Sequence, residues 1–133
     1  MDVLIRRARL ADVSAVCQLV NLYAKHGKLL KRPSAEIKRN ISTFFVAQRN
    51  GKIVGCVSLD VYSRKLAEIR SLAVSENESG KGIGKLLVSA CVKECKARGV
   101  MELMAITSRE KFFKEMGFDY TLPGERKAVF LKP

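Results

Sequence analysis

Three glycines at alternate positions, Gly80, Gly82 and Gly84, separate an apolar strand from a long amphipathic helix, with Lys81 and Lys85 interleaved. That pattern has a chemistry. Glycine lets the main chain come close to an anion, and the first amides of a helix have no intrahelical partner. A strand that feeds glycines into a helix N-terminus is therefore a cradle for phosphate. Other chemistry-bearing residues are sparse. The one histidine, His26, follows the first helix and reads as a surface or capping group. The four cysteines, Cys17, Cys56, Cys91 and Cys95, form no CxxC pair, and with a single histidine they offer no zinc set. Cys91 and Cys95 lie four apart and share a helix face, where small core side chains are the simplest role. Reduced thiols and a cytoplasmic location follow as the default.

The bulk properties limit what surrounds the cradle. A chain of 133 residues, 47% of them apolar, suits a single domain over 1–133 with its own core. No apolar run approaches the roughly 20 residues of a membrane span. The N-terminus lacks the basic-then-apolar order of a secretory signal. The net charge of +12 asks for an anionic partner. Nucleic acid is one candidate, but the basic residues are scattered. Six phenylalanines and three tyrosines with no tryptophan supply a poor stacking platform. A polyanionic small molecule fits as well.

The elements that must position the cradle follow from periodicity. Residues 3–7 read as a strand. Asp12 is placed to cap a helix with apolar positions at Val13, Val16, Cys17, Val20 and Tyr23, ended by Gly27. A basic connector over 28–32 leads to a second helix from Pro33–Ser34. Strands over 43–49 and 52–62 are joined by Asn50–Gly51, the strongest hairpin signal in the chain. The strand over 66–74 precedes the cradle. The helix from about Gly82 to Arg98 ends at Gly99. The mostly apolar stretch over 100–107 predicts a strand buried on both faces and parallel to 66–74, joined to it by a right-handed crossover. A short helix runs to Met116, and strands over 118–120 and 128–131 close the sheet.

Taken together, this element order and the loop ESGKGIGKLL resemble the GNAT superfamily of acetyl-coenzyme A-dependent N-acetyltransferases. Gly82 and Gly84 match its Gln/Arg-x-x-Gly-x-Gly/Ala signature, while Ser79 stands at the Gln/Arg position. FFKEMGF resembles the superfamily's late helix and following strand. The resemblance covers essentially the whole chain. It implies an α/β (α+β) fold, with a mixed central sheet of six or seven strands flanked by about four helices. The segments KHGKLLKRPSAEI, FFVAQRNGKIVGCVSL, LAEIRSLAV, FFKEMGF and LPGER are similar to short stand-alone N-acetylglutamate synthases, although many of those carry a longer tail after the LP dipeptide.

The resemblance implies acetyl transfer from acetyl-CoA to a primary amine by direct attack in a ternary complex, without a metal. L-Glutamate is the favoured acceptor; another amino acid, a polyamine or a protein amine are alternatives. A non-catalytic CoA- or nucleic-acid-binding module is the alternative of another class. The implied cofactor residues are Leu72, Ala73, Val74, Ser79, Gly80, Lys81, Gly82, Ile83, Gly84, Lys85, Thr107, Phe112 and Phe113. The pantetheine arm adds like a short strand beside residues 72–74, and the Val74 amide polarises the acetyl carbonyl. Glu68 matches the glutamate that serves as general base, directly or by orienting water, unless it forms a strand-edge ion pair. Arg70, on the same face of the strand, partners Glu68 or faces a substrate carboxylate. Arg32, Arg126 and Ser108 complete the acceptor set, arginine forks being suited to carboxylates. The tyrosine that often protonates the leaving thiolate is replaced by Phe113, and no general acid is assigned. By analogy with the superfamily, a homodimer is implied.

Overall fold

A computed structural model describes residues 2–26, 32–120, 129 and 131–133. Among these, five strands form one mixed sheet in sequence order. They are β1 (Leu4–Arg7), β2 (Phe44–Arg49), β3 (Lys52–Val61), β4 (Leu66–Val74) and β5 (Glu102–Ala105). The first four pair antiparallel and β5 lies parallel to β4. The helices are α1 (Val13–Lys25), α2 (Ser34–Arg39), α3 (Ile83–Arg98) and α4 (Glu110–Glu115).

The local reasons are mostly those of the sequence. Asn50 and Gly51 both take left-handed backbone, φ 51° and 77°, as the twist-matched two-residue hairpin requires. Gly99, at φ 69°, ends α3, and the Val100 amide closes the turn on the Cys95 carbonyl at 2.9 Å. Asp12 differs from expectation. It does not cap α1; its carboxylate accepts the Arg9 amide at 2.7 Å and two Arg6 guanidinium bonds at 2.8 and 3.0 Å, tying β1 to the start of α1.

Two apolar layers cover the sheet. One gathers Phe45, Val57, Leu59, Ala67 and Ile69 under α3; the other gathers Phe44, Val46, Cys56 and Ala73 under α1 and α2. β4 contributes to both because it changes phase. Ala67 and Ile69 face α3, yet two residues after Ser71 it is Ala73 that faces α1. Ser71 sits at φ 56°, and the β3–β4 register slips between Cys56 and Ser58. A bulge inserts one residue and turns the strand over. Gly55 on β3 brings α3 close: a Cβ there would lie 3.0 Å from Leu87 Cδ1 and 3.2 Å from Ile83 Cγ2.

Two expectations for the far edge are corrected. β5 spans only Glu102–Ala105, with Glu102 exposed and the others half-buried, because it is the outermost strand among the described residues. Residues 118–120 form no strand; Asp119 and Tyr120 are exposed and pair with no ladder. Most of the proposed strand over 128–131, the end of α1 at Gly27 and the connector over 28–31 lie outside the described residues.

Candidate active site

The site begins where two parallel strands part. The last β4–β5 pair is Ile69 with Ala105, but β4 continues to Val74. From Arg70 onward, the β4 edge has no β5 neighbour. Main-chain directions alternate along a strand. The Ser75 amide turns back to the Val54 carbonyl of β3 at 2.8 Å, so the adjacent Val74 amide points toward the gap. There it meets Tyr23 of α1: the Tyr23 hydroxyl accepts from the Val74 amide at 3.0 Å and donates to the Val74 carbonyl at 2.7 Å.

The glycine loop borders this gap. Gly80 and Gly82 hold φ 76° and 83°, and a Cβ at either would meet no protein atom within 4 Å. Their need for glycine is conformational, and the space above them is open. Gly82 caps α3 with no side-chain hydrogen bond, leaving the first-turn amides to outside partners. A Cβ on Gly84 would lie 3.4 Å from the Phe112 ring, so helix α3 and Phe112 are close-packed there. Ser79, Lys81 and Lys85 are exposed; the Ile83 side chain is buried and offers only its main chain. Lys81 pairs with Glu78 at 3.2 Å and Lys85 with Glu115 at 3.2 Å. Arg49 reaches the same Glu78 carboxylate at 2.8 Å. The Lys81 hydrogen bond, with help from Arg49, holds the Glu78 carboxyl below its ordinary range.

A charged cluster occupies the β3–β4 pair nearby. Asp60 and Glu68 stand directly opposite each other, a like-charge pairing that must be compensated. Arg70 binds Asp60 at 3.0 Å. The Tyr62 hydroxyl donates to Glu68 at 2.5 Å, and this bond pushes the phenol up to about 12. Arg70 and Glu68 thus take separate partners instead of each other.

The expected residues divide accordingly. Ser79, Gly80, Lys81, Gly82, Gly84 and Lys85 belong to the loop and the first turn of α3, while Leu72, Val74 and Phe112 are half-buried against the α3 layer. Ala73 points into the layer under α1, which leaves its main chain only. Phe113 is a core side chain, 7% exposed and edge-on to Phe112 and Phe118. Arg32 is buried. It is 3% exposed, bonded to Glu36 at 3.2 Å, Ser58 Oγ at 3.2 Å and Ser71 Oγ at 2.9 Å, above the Phe44 ring. Its guanidinium braces the bulge. The Thr107 hydroxyl accepts the Arg109 amide at 2.8 Å, and Ser108 is exposed beyond the end of β5. Arg126 lies outside the described residues. Burial pushes the Cys56 and Cys91 thiols up to about 12, so neither supplies a thiolate at neutral pH.

Sequence reasoning missed Tyr23, Asp60 and Tyr62. Tyr23 reads as one more apolar position in the α1 period. Asp60 and Tyr62 were legible in principle, since counting back through the β3–β4 turn sets Asp60 opposite Glu68.

The chain matches the acetyltransferase (GNAT) family over residues 9–118. It is 44% identical over 117 residues to an uncharacterised N-acetyltransferase of Chlorobaculum tepidum, covering 88% of this chain and 76% of that protein. It is 36% identical to an amino-acid acetyltransferase of Mycobacterium tuberculosis, covering 86% and 67%. It spans only 26% of the Pasteurella multocida amino-acid acetyltransferase, at 30% identity. Among solved structures, a Mycobacterium tuberculosis protein in complex with CoA and NLQ superposes with TM-score 0.85 and 32% identity, over 94% of this chain and 76% of that one. The Neisseria gonorrhoeae N-acetylglutamate synthase, complexed with coenzyme A and N-acetyl-glutamate, gives 0.82 and 26% over 87% and 28%.

Proposed function

This chain belongs to the GNAT family of acetyl-CoA-dependent N-acetyltransferases, and from that premise we propose that its acceptor is the amino group of a free amino acid, L-glutamate foremost. The observation that carries the reading is the open β4 edge running into an uncapped, glycine-led helix. An extended amide-bearing arm with a diphosphate at one end fits that edge and cradle together. The amides of residues 82–85 hold the diphosphate, aided by Lys81 and Lys85. Both lysines sit in exposed ion pairs of the kind worth about 0–1 kcal/mol, which a phosphate readily displaces. The thioester supplies an activated acyl group. The Val74 amide polarises its carbonyl where negative charge develops.

A primary amine, with a pKa of about 8–10, arrives protonated. Glu68 takes that proton, directly or through water, and Tyr62 fixes the carboxylate's orientation. Phe113 has no proton to give, and a thiol pKa of about 8.5 lets the thiolate leave unassisted. Arg70 is the cation that faces the acceptor carboxylates, exchanging Asp60 for the substrate. The pairing of related amino-acid acetyltransferases with a neighbour solved with N-acetyl-glutamate supports glutamate. The reaction would then open arginine synthesis in the cytoplasm, and a homodimer is the expected state. The test is an acceptor screen following free thiol release, with glutamate, aspartate, lysine and spermidine side by side. Glutamate should exceed the others by at least tenfold in kcat/KM; a preference for spermidine or lysine would refute the assignment.

A further inference from the structure

The β4 edge is already closed by the protein at one place. A neighbouring strand would accept from the Val74 amide and donate to the Val74 carbonyl. The Tyr23 hydroxyl does both with one oxygen, at 3.0 and 2.7 Å. The contact joins residues 51 apart in sequence, from the third-last position of α1 across to the last residue of β4. It leaves the hydroxyl's proton committed to a carbonyl, which is the behaviour of a pairing partner and not of a stored acid. The ring beneath it packs on the layer of Val16, Val20 and Phe44. An unpaired strand edge is a site for adding another strand, and here one side chain occupies it.

We propose that Tyr23 is an internal stand-in for the pantetheine arm: its hydroxyl satisfies Val74 in the free protein, and acetyl-CoA displaces it. The proposal rests on the reading that the arm lies along β4 and uses the Val74 amide. Two acceptors cannot share that amide at full strength, so acetyl-CoA must outcompete the hydroxyl. The free protein is stabilised by two hydrogen bonds that the complex lacks, and the contact lowers cofactor affinity by that difference. Displacement also frees the C-terminal turn of α1 from the strand it grips.

The test is a pair of measurements. In the parent protein, backbone amide and 13C-tyrosine ring resonances are followed while acetyl-CoA is added. Acetyl-CoA affinity is then measured by calorimetry for the parent and for Tyr23→Phe, which keeps the ring and removes the hydroxyl. Expected are movement of the Val74 amide and Tyr23 ring signals together, and acetyl-CoA binding 3- to 10-fold tighter in the variant. A Val74 signal that moves while Tyr23 stays fixed, or a variant that binds equally or more weakly, overturns the stand-in role and leaves the β4 reading standing. A Val74 signal that does not respond to acetyl-CoA overturns both. Should the variant fold poorly, the parent's Tyr23 signal decides the matter alone.

Discussion

At the residue scale, the proposed chemistry converges on Glu68. Its position puts a carboxylate opposite Asp60, and two neighbours make that arrangement tolerable: Arg70 neutralises Asp60, and Tyr62 donates to Glu68. The phenol is pushed up to about 12, so Tyr62 stays a donor throughout any working pH range. A carboxylate held this way is fixed in orientation. Glu68→Gln keeps the shape and loses the base. Turnover at neutral pH should fall about 10²- to 10⁴-fold, the usual share of a general base, while acetyl-CoA affinity stays within about twofold. Thiol release from pH 6 to 9 checks the first and calorimetry the second. Equal rates for variant and parent across that range would remove Glu68 from the base role. Glu68 was named through its match to the glutamate of the resembled family. Its partners Asp60 and Tyr62 lie across the β3–β4 turn, on the near side of the bulge, and went unnamed because no motif marks them.

At the element scale, one left-handed serine and one left-handed glycine set the geometry. Ser71 turns β4 over, so that residues before it and after it serve different faces. The bulge costs strain, since αL backbone is unfavourable for a residue with a Cβ by roughly 1–2 kcal/mol. Arg32 offsets it by binding Ser71 and Ser58 from within the fold. Ser71→Ala keeps the strain and removes a partner from a buried guanidinium. Stability should drop by about 1–3 kcal/mol, the cost of an unmet buried donor, as read from urea unfolding. An unchanged midpoint would mean that Arg32 does not brace the bulge. Gly82 acts on the other side of the gap. Valine there cannot easily hold φ 83°, and its side chain would enter the open space over the first-turn amides. Gly82→Val should abolish acetyl-CoA binding by calorimetry, and unaltered binding would refute the cradle. Both glycine-loop geometry and hairpin turns were readable, because positive φ leaves a compositional trace. A serine in the same conformation leaves none, which is why neither the bulge nor the burial of Arg32 was foreseen.

At the scale of the whole molecule, element order from β1 through α4 followed from hydrophobic period and turn chemistry, and the parallel β4–β5 pairing from the apolar run over 100–107. What escaped was contact between distant segments: Tyr23 on Val74, Arg32 on Ser58, Arg6 on Asp12. Such contacts depend on how layers stack, and no local pattern announces them. Net charge is a whole-molecule property that composition does reveal, and it bears on function. At +12 the chain attracts a polyanionic cofactor over distances set by salt, about 10 Å at 0.1 M and about 3 Å at 1 M. Acetyl-CoA affinity should therefore weaken as salt rises. Lys81 and Lys85, exposed at the start of α3, should carry the local part of that dependence. Replacing either by alanine should cost about 2- to 5-fold in affinity at low salt, the scale of an exposed pair, and flatten the salt slope. The loss should vanish near 1 M salt if the lysines act by charge. Under the proposed phosphate role Lys81 must leave Glu78, so Glu78→Gln should move affinity the opposite way. Affinity that ignores both salt and these lysines would mean that the positive surface is directed at some other anion, and a steep salt-dependent retention of duplex DNA would identify it as nucleic acid.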